Sequence, residues 1–204
     1  MCYHSAINQR EVPNMNQKQT ISTKRIVVAG LMAALTVAGS AIRITLPIDI
    51  AGTTSFHLGN IMCALSGILL GPWLGGLAAG MGSAVYDMMN PLYISEAWIT
   101  FLLKGAYGLA AGLIVRGKTR HDFTYSRCLI GTAAGALTYA IAYLSKSYFY
   151  NGLFLNGLTP DAALLTLISK LPATVFNAAV AMICAPALAM AIDKALKRSH
   201  LSME

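Results

Sequence analysis

The chain has 204 residues, of which 56% are hydrophobic and only 11% charged, with a formal net charge of +7. Soluble domains carry about 25% charged residues, so this composition cannot keep a water-facing surface wet, and lipid is the expected solvent. The basic residues lie in short blocks between long apolar runs, which is the pattern of topology determinants and argues against a phosphate-binding face for nucleic acid.

Residues 1–22 are polar, with Pro13 and several Asn and Gln, and are expected to form a disordered cytoplasmic lead. The apolar run from Ile26 to Ile42 exceeds the ~7–15-residue hydrophobic region of a cleaved signal peptide, so it reads as a first helix reaching to about Leu46. Next comes an apolar stretch from Phe56 to Met89, whose only ionisable groups are His57 and Asp87. As one helix it would measure roughly 50 Å, against a hydrocarbon core of ~30 Å. Gly71-Pro72, followed by Gly75-Gly76, is a turn signal near its middle and divides it into two short spans. Three further segments follow: Ala97–Val115, Cys128–Tyr150 and Ala162–Ile192.

Charge asymmetry tests this division. Basic blocks occur before the first helix (Arg10, Lys18, Lys24, Arg25), after Val115 (Arg116, Lys118, Arg120, Arg127) and at the C-terminus (Lys194, Lys197, Arg198). Only two spans between Phe56 and Met89 bring all three blocks to the cytoplasmic side. The expected architecture is therefore an all-α membrane protein: a bundle of six transmembrane helices over residues 23–198, both termini cytoplasmic, with a tail at 199–204. Small residues four apart, such as Gly76/Gly80, Gly108/Gly112 and Gly131/Gly135, are expected to bring helix backbones close together in lipid.

The four Lys and Arg outside the basic blocks are Arg43, Lys104, Lys146 and Lys170. In this topology they fall in the outer half, as do Asp49, Asp87, Glu96 and Asp161. Charge at membrane depth costs several kcal/mol unless paired or solvated, so an outward-opening polar cavity is expected. Lys104 and Lys170 fit either ligand contact or ion pairs with Asp87 or Glu96 that fix helix packing. Arg43, near a helix end, would snorkel. Phe56, His57, Asn60, Trp98, Tyr107, Tyr143 and Tyr150 share this half, and rings with a few polar groups suit a small planar ligand. For Trp98 and Tyr150 an interfacial belt is the simpler reading, and His57 reads as a solvated or capping residue.

Other motifs fail. Gly112-Leu-Ile-Val-Arg-Gly117-Lys118-Thr119 fits a phosphate-binding loop, but it follows a membrane helix instead of a buried strand. Cys2, Cys63, Cys128 and Cys184 have no metal-binding spacing, and no Ser/His pair suggests a hydrolase. No cofactor, metal or enzymatic activity is expected.

Three groups of residues carry a family resemblance: Ala29-Gly30-Leu-Met-Ala33-Ala34 in the first helix; Phe56-His57-Leu58-Gly59-Asn60 followed by Gly67–Gly76 and Gly82-Ser83-x3-Asp87; and Lys170-Leu-Pro172 with Asn177 beyond. Together they resemble the substrate-binding S component of an energy-coupling factor (ECF) vitamin transporter, from about Thr23 to Arg198. The resemblance implies high-affinity capture of a vitamin or precursor outside a bacterial cytoplasmic membrane. It implies partners too, one transmembrane scaffold subunit and two cytosolic ATPase subunits. It points to Asn60, Glu96, Lys104, Tyr107, Tyr143, Lys146, Lys170 and Asn177 as substrate-binding, and to Ala29, Gly30, Ala33 and Ala34 as the scaffold interface. Ordinary helix packing is the other reading of that small-residue face, whose third position is Val37 or Ala38 depending on register. Pro47–Ser55 or Asn90–Ser95 would close over the substrate. Riboflavin, pantothenate, a pyridoxal-type or pyrimidine precursor and cobalamin all remain open. A proton-coupled secondary transporter working through Asp87 or Glu96 is the alternative, with a membrane enzyme behind it.

Overall fold

The structure is a computed structural model and describes residues 22–46, 54–116 and 124–199. The expected N-terminal lead, nearly all of the C-terminal tail, Lys118, Arg120, Asp49 and most of the Pro47–Ser55 loop lie outside the described residues. Six α-helices run in chain order: α1 Thr23–Ala41, α2 Gly59–Leu70, α3 Pro72–Met88, α4 Ala97–Arg116, α5 Tyr125–Ser145 and α6 Pro160–Arg198. Between α1 and α2 lies an antiparallel hairpin, β1 Arg43–Leu46 and β2 Thr54–His57, with Arg43 opposite His57 and Ile44 opposite Phe56. A 3₁₀ turn, Ile94–Glu96, leads into α4, and α5 continues as a π-helix, Lys146–Leu155.

The long apolar stretch breaks where the turn signal falls. Gly71 ends α2 with φ 85°, a left-handed conformation that glycine adopts without a Cβ penalty. Pro72, which lacks an N–H to donate, opens α3. At the other extreme, the Thr159 side chain accepts from the Ala162 N–H at 3.4 Å and Pro160 opens α6. Lys197 and Arg198 sit in its last turn, against the negative end of the helix dipole.

The helices alternate in direction, which gives the bundle two ends, called here the Gly71 end and the hairpin end. Near the Gly71 end, α2, α3 and α4 meet almost backbone to backbone. A Cβ on Gly76 would stand 2.9 Å from the Gly105 carbonyl oxygen, one on Gly80 2.7 Å from that of Phe101, and one on Gly112 2.6 Å from the Pro72 nitrogen. Gly67 faces α4 while Gly75 rests on Ser66 and Gly67, so the run of three glycines serves two faces. The core of this end is apolar, with Leu65, Ile68, Leu69, Val115 and Ala189 packed together. Large apolar side chains cover the outside instead of being hidden, Trp73, Leu102 and Ile183 among them, as lipid exposure requires.

The all-α membrane fold is thus present, and α1, α4 with its leading turn, α5 with its π extension, and α6 are each long and apolar enough to cross a membrane. Helix α2 is different. Its 12 residues reach only about 18 Å, and nearly all of them are buried within the bundle. Helix α6, with 39 residues, reaches about 58 Å.

Candidate functional site

Among the described residues, the fully buried acidic and basic side chains are Asp87, Lys104 and Lys170, 7%, 5% and 3% exposed. All three belong to the hairpin half. Lys104, about two turns into α4, directs its ammonium to the Asn60 carboxamide oxygen at the start of α2. Its nitrogen also lies 4.0 Å from the centre of the Tyr139 ring, a favourable place for a desolvated cation. The bond goes to a neutral amide, not to Asp87. Tyr139 is the middle of a column: Tyr107 stacks on it at 6.0 Å and Tyr143 at 5.5 Å. The i,i+4 spacing of Tyr139 and Tyr143 puts both on one face of α5. Lys170 of α6 donates to Ser147 Oγ at 3.3 Å and lies 6.0 Å from the Tyr143 ring centre.

A second polar group lies nearer solvent. Glu96 is ion-paired with Lys146 and accepts from Asn151 Nδ2 at 2.6 Å. The π-helix brings these partners to one face, since its wider turn aligns positions five apart, such as 146 and 151.

The third element is the hairpin. Asn177 Oδ1 accepts from the His57 N–H at 3.0 Å, and Asn177 Nδ2 donates to the Ser55 carbonyl at 2.9 Å. Phe56 meets Phe176 edge-on at 4.7 Å. Arg43 does not snorkel outward; its guanidinium lies over Tyr86 and Tyr93, 4.7 Å from each ring centre. Among the described residues, four buried polar atoms in this half have no hydrogen-bond partner: Arg43 Nε, His57 Nδ1, Tyr107 Oη and Asn151 Oδ1. Buried orphan groups cost about 1–3 kcal/mol each, and such a concentration fits a site built for a polar partner.

The structure therefore brings Asn60 to Lys104, Glu96 to Lys146, Tyr107 to Tyr143 through Tyr139, and Lys170 to Tyr143 through the same column. Asn177 stands with the hairpin. Tyr139, Ser147 and Asn151 escaped the sequence reading, although the i,i+4 tyrosine pair was visible. Trp98 and Tyr150 stack edge-on at 6.5 Å, with Trp98 60% exposed. On α1, Ala29 and Ala33 are half-buried against the core, whereas Gly30, Ala34 and Ala38 face outward. The loop-like string at Gly112 is helical through Arg116 and packs on Pro72, which is no phosphate cradle.

A mostly helical membrane protein with its buried charge and stacked rings at one end has the features of a protein that handles a solute. The pattern of the ECF-type riboflavin transporter S component family matches residues 20–194, and the chain belongs to that family. It is accordingly a transport protein and not an enzyme. A protein of Pyrococcus woesei, named "Uncharacterized protein in gap 3′region", is 35% identical over 119 residues, 58% of this chain and 74% of its own length. A UPF0397 protein of Streptococcus gordonii is 33% identical over 95 residues, 47% of this chain and 48% of its own, so this chain spans about half of that relative.

Proposed function

We propose that the chain captures riboflavin at the hairpin end and delivers it as the S component of an ATP-driven ECF transporter. The observation that carries this reading is the column Tyr107–Tyr139–Tyr143 flanked by the buried ammonium groups of Lys104 and Lys170. An isoalloxazine ring is flat, apolar on its faces and rich in carbonyl acceptors at one edge. Tyrosine faces suit the first property and lysine donors the second. Asn60, Tyr107 Oη and the Glu96–Lys146 pair would receive the ribityl hydroxyls. Each of these groups now bonds a protein neighbour or none, and would exchange that bond for one to the vitamin.

The short α2 supports an outward recess. Its start is level with Asn177, which lies about 26 Å along α6 from Pro160. The described chain leading into α2 is the β1–β2 hairpin, and non-helical backbone is tolerated at membrane depth only where it is buried in protein or lines a wet cavity. In this reading all six helices of residues 23–198 count as spans, with α2 and α3 turning back at Gly71. The Gly71 end, with Arg25, Arg116, Arg127, Lys194, Lys197 and Arg198, faces the cytosol of a bacterial cell.

The partners are a transmembrane scaffold and two cytosolic ATPases. Of the small residues on α1, Gly30, Ala34 and Ala38 form the outward stripe, with open space beyond Gly30. That favours the register through Ala38, with Ala29 and Ala33 backing the stripe from within. Proton coupling through Glu96 is disfavoured because Glu96 is held in an ion pair with Lys146, which leaves Asp87 as the residue for the proton-coupled alternative. The decisive experiment is mass spectrometry of the small molecule that co-purifies with detergent-extracted protein, followed by flavin-fluorescence titration. Riboflavin with saturable quenching is expected; a different vitamin with no quenching would overturn the reading.

A further inference from the structure

Strand β2 has two edges. One pairs with β1, His57 opposite Arg43 and Ser55 opposite Thr45. The other faces α6, and there one side chain fills the place of a neighbouring strand. The Asn177 carboxamide accepts from the His57 N–H and donates to the Ser55 carbonyl, at 3.0 and 2.9 Å. A backbone peptide offers the same acceptor and donor, so the amide side chain completes the strand edge as a third strand would. The fit is chemically narrow: Asp supplies no donor, Leu neither group, and Gln overshoots by a methylene. Asn177 is 8% exposed, and its neighbour Phe176 holds Phe56 at 4.7 Å. On the far edge, Arg43 is held over Tyr86 and Tyr93. The hairpin is thus fastened to α6 on one side and to α3 and its following turn on the other.

We propose that Asn177 is a positioning residue whose carboxamide clamps the β1–β2 hairpin to α6, and that this clamp sets how quickly ligand leaves the hairpin end. Both ends of the amide are engaged on β2, so Asn177 acts on the ligand through the strand. The kinetic half rests on the flavin-capture reading; the mechanical half does not.

The test uses the full chain in lipid nanodiscs, with Cys2, Cys63, Cys128 and Cys184 replaced by alanine. Spin labels go on Ile44→Cys in β1 and Ile183→Cys in α6, both exposed positions. Asn177→Leu removes both bonds, and Asn177→Ser keeps a small polar group should the leucine variant fail to fold. Each is expected to broaden the label-to-label distance distribution without ligand. Each should also speed riboflavin dissociation about tenfold, in line with interface changes that act mainly on off-rates. The absorption spectrum of the bound flavin should stay as in the parent. An unchanged distance distribution in folded Asn177→Ser protein overturns the clamp. A shifted flavin spectrum overturns action through the strand, because it would mean direct contact. Should the parent bind no flavin at all, the capture reading fails, while the distances still decide the clamp.

Discussion

Near the Gly71 end, α2, α3 and α4 lie so close that a single added methyl at Gly76 or Gly112 would meet backbone atoms within 3 Å. At the hairpin end the same bundle is held apart by side chains: lysines over tyrosine rings, an ion pair and a carboxamide bonded to a strand. The first arrangement takes its stability from close dispersion contact, the term that dominates between helices in lipid. The second keeps polar groups at depth, which costs stability. In the capture reading proposed above, one end holds shape and the other exchanges partners.

Substitutions can break or sharpen this contrast. The largest effect is expected at the glycine seam. A Cβ on Gly67 falls onto the Gly108 carbonyl, with the Gly112 nitrogen 3.1 Å away, so Gly67→Val should exceed the ~1–3 kcal/mol usual for overpacking. Size-exclusion chromatography in detergent should find no monodisperse protein; a well-behaved variant would mean the seam is not rigid. Next, Lys104→Met and Lys170→Met should each weaken riboflavin binding about 100-fold, roughly 2.7 kcal/mol, in fluorescence titrations. Their melting temperatures should hold or rise, since an apolar chain of similar volume removes a desolvated charge. A lowered melting temperature with affinity retained would reverse the roles of the two ends. Ala34→Leu, on the outward stripe of α1, should reduce cellular uptake roughly tenfold, about 1.4 kcal/mol of docking, and leave purified binding unaltered. The smallest effect belongs to Glu96 and Lys146, whose side chains are 21% and 13% exposed. A double-mutant cycle with Glu96→Gln and Lys146→Met should give about 1 kcal/mol of coupling, shrinking with added salt.

What the sequence disclosed follows from which signals are local. Gly71-Pro72 marks its own break because both residues act on the backbone where they stand. Lys104 and Lys170 announce themselves because charge in an apolar run has few explanations. The hairpin was missed because four-residue strands, Arg43–Leu46 and Thr54–His57, are too short to establish a two-residue period. The π-helix was missed because Lys146–Leu155 has the composition of an ordinary helix end, and its wider turn is set by packing. Tyr139 was passed over because a tyrosine inside an apolar run reads as core until its stacking partners on α4 are known. The face of α1 that meets the core depends on Gly82 approaching Ala33, a contact no one-dimensional pattern contains.

The unequal lengths of α2 and α6 carry a consequence for the surrounding lipid. Helix α2 is walled off by its neighbours, so hydrophobic mismatch acts on it weakly and its length is free to suit the ligand. Helix α6 is mostly unburied within the bundle and far longer than the ~30 Å hydrocarbon core, a mismatch that tilting or kinking absorbs to a degree set by acyl-chain length. Because the hairpin is bonded to α6 through Asn177, the proposed clamp would pass any change in the lean of α6 to the hairpin end. Vesicles of shorter-chain lipid are expected to alter riboflavin residence time in the parent protein and to do so less in Asn177→Leu.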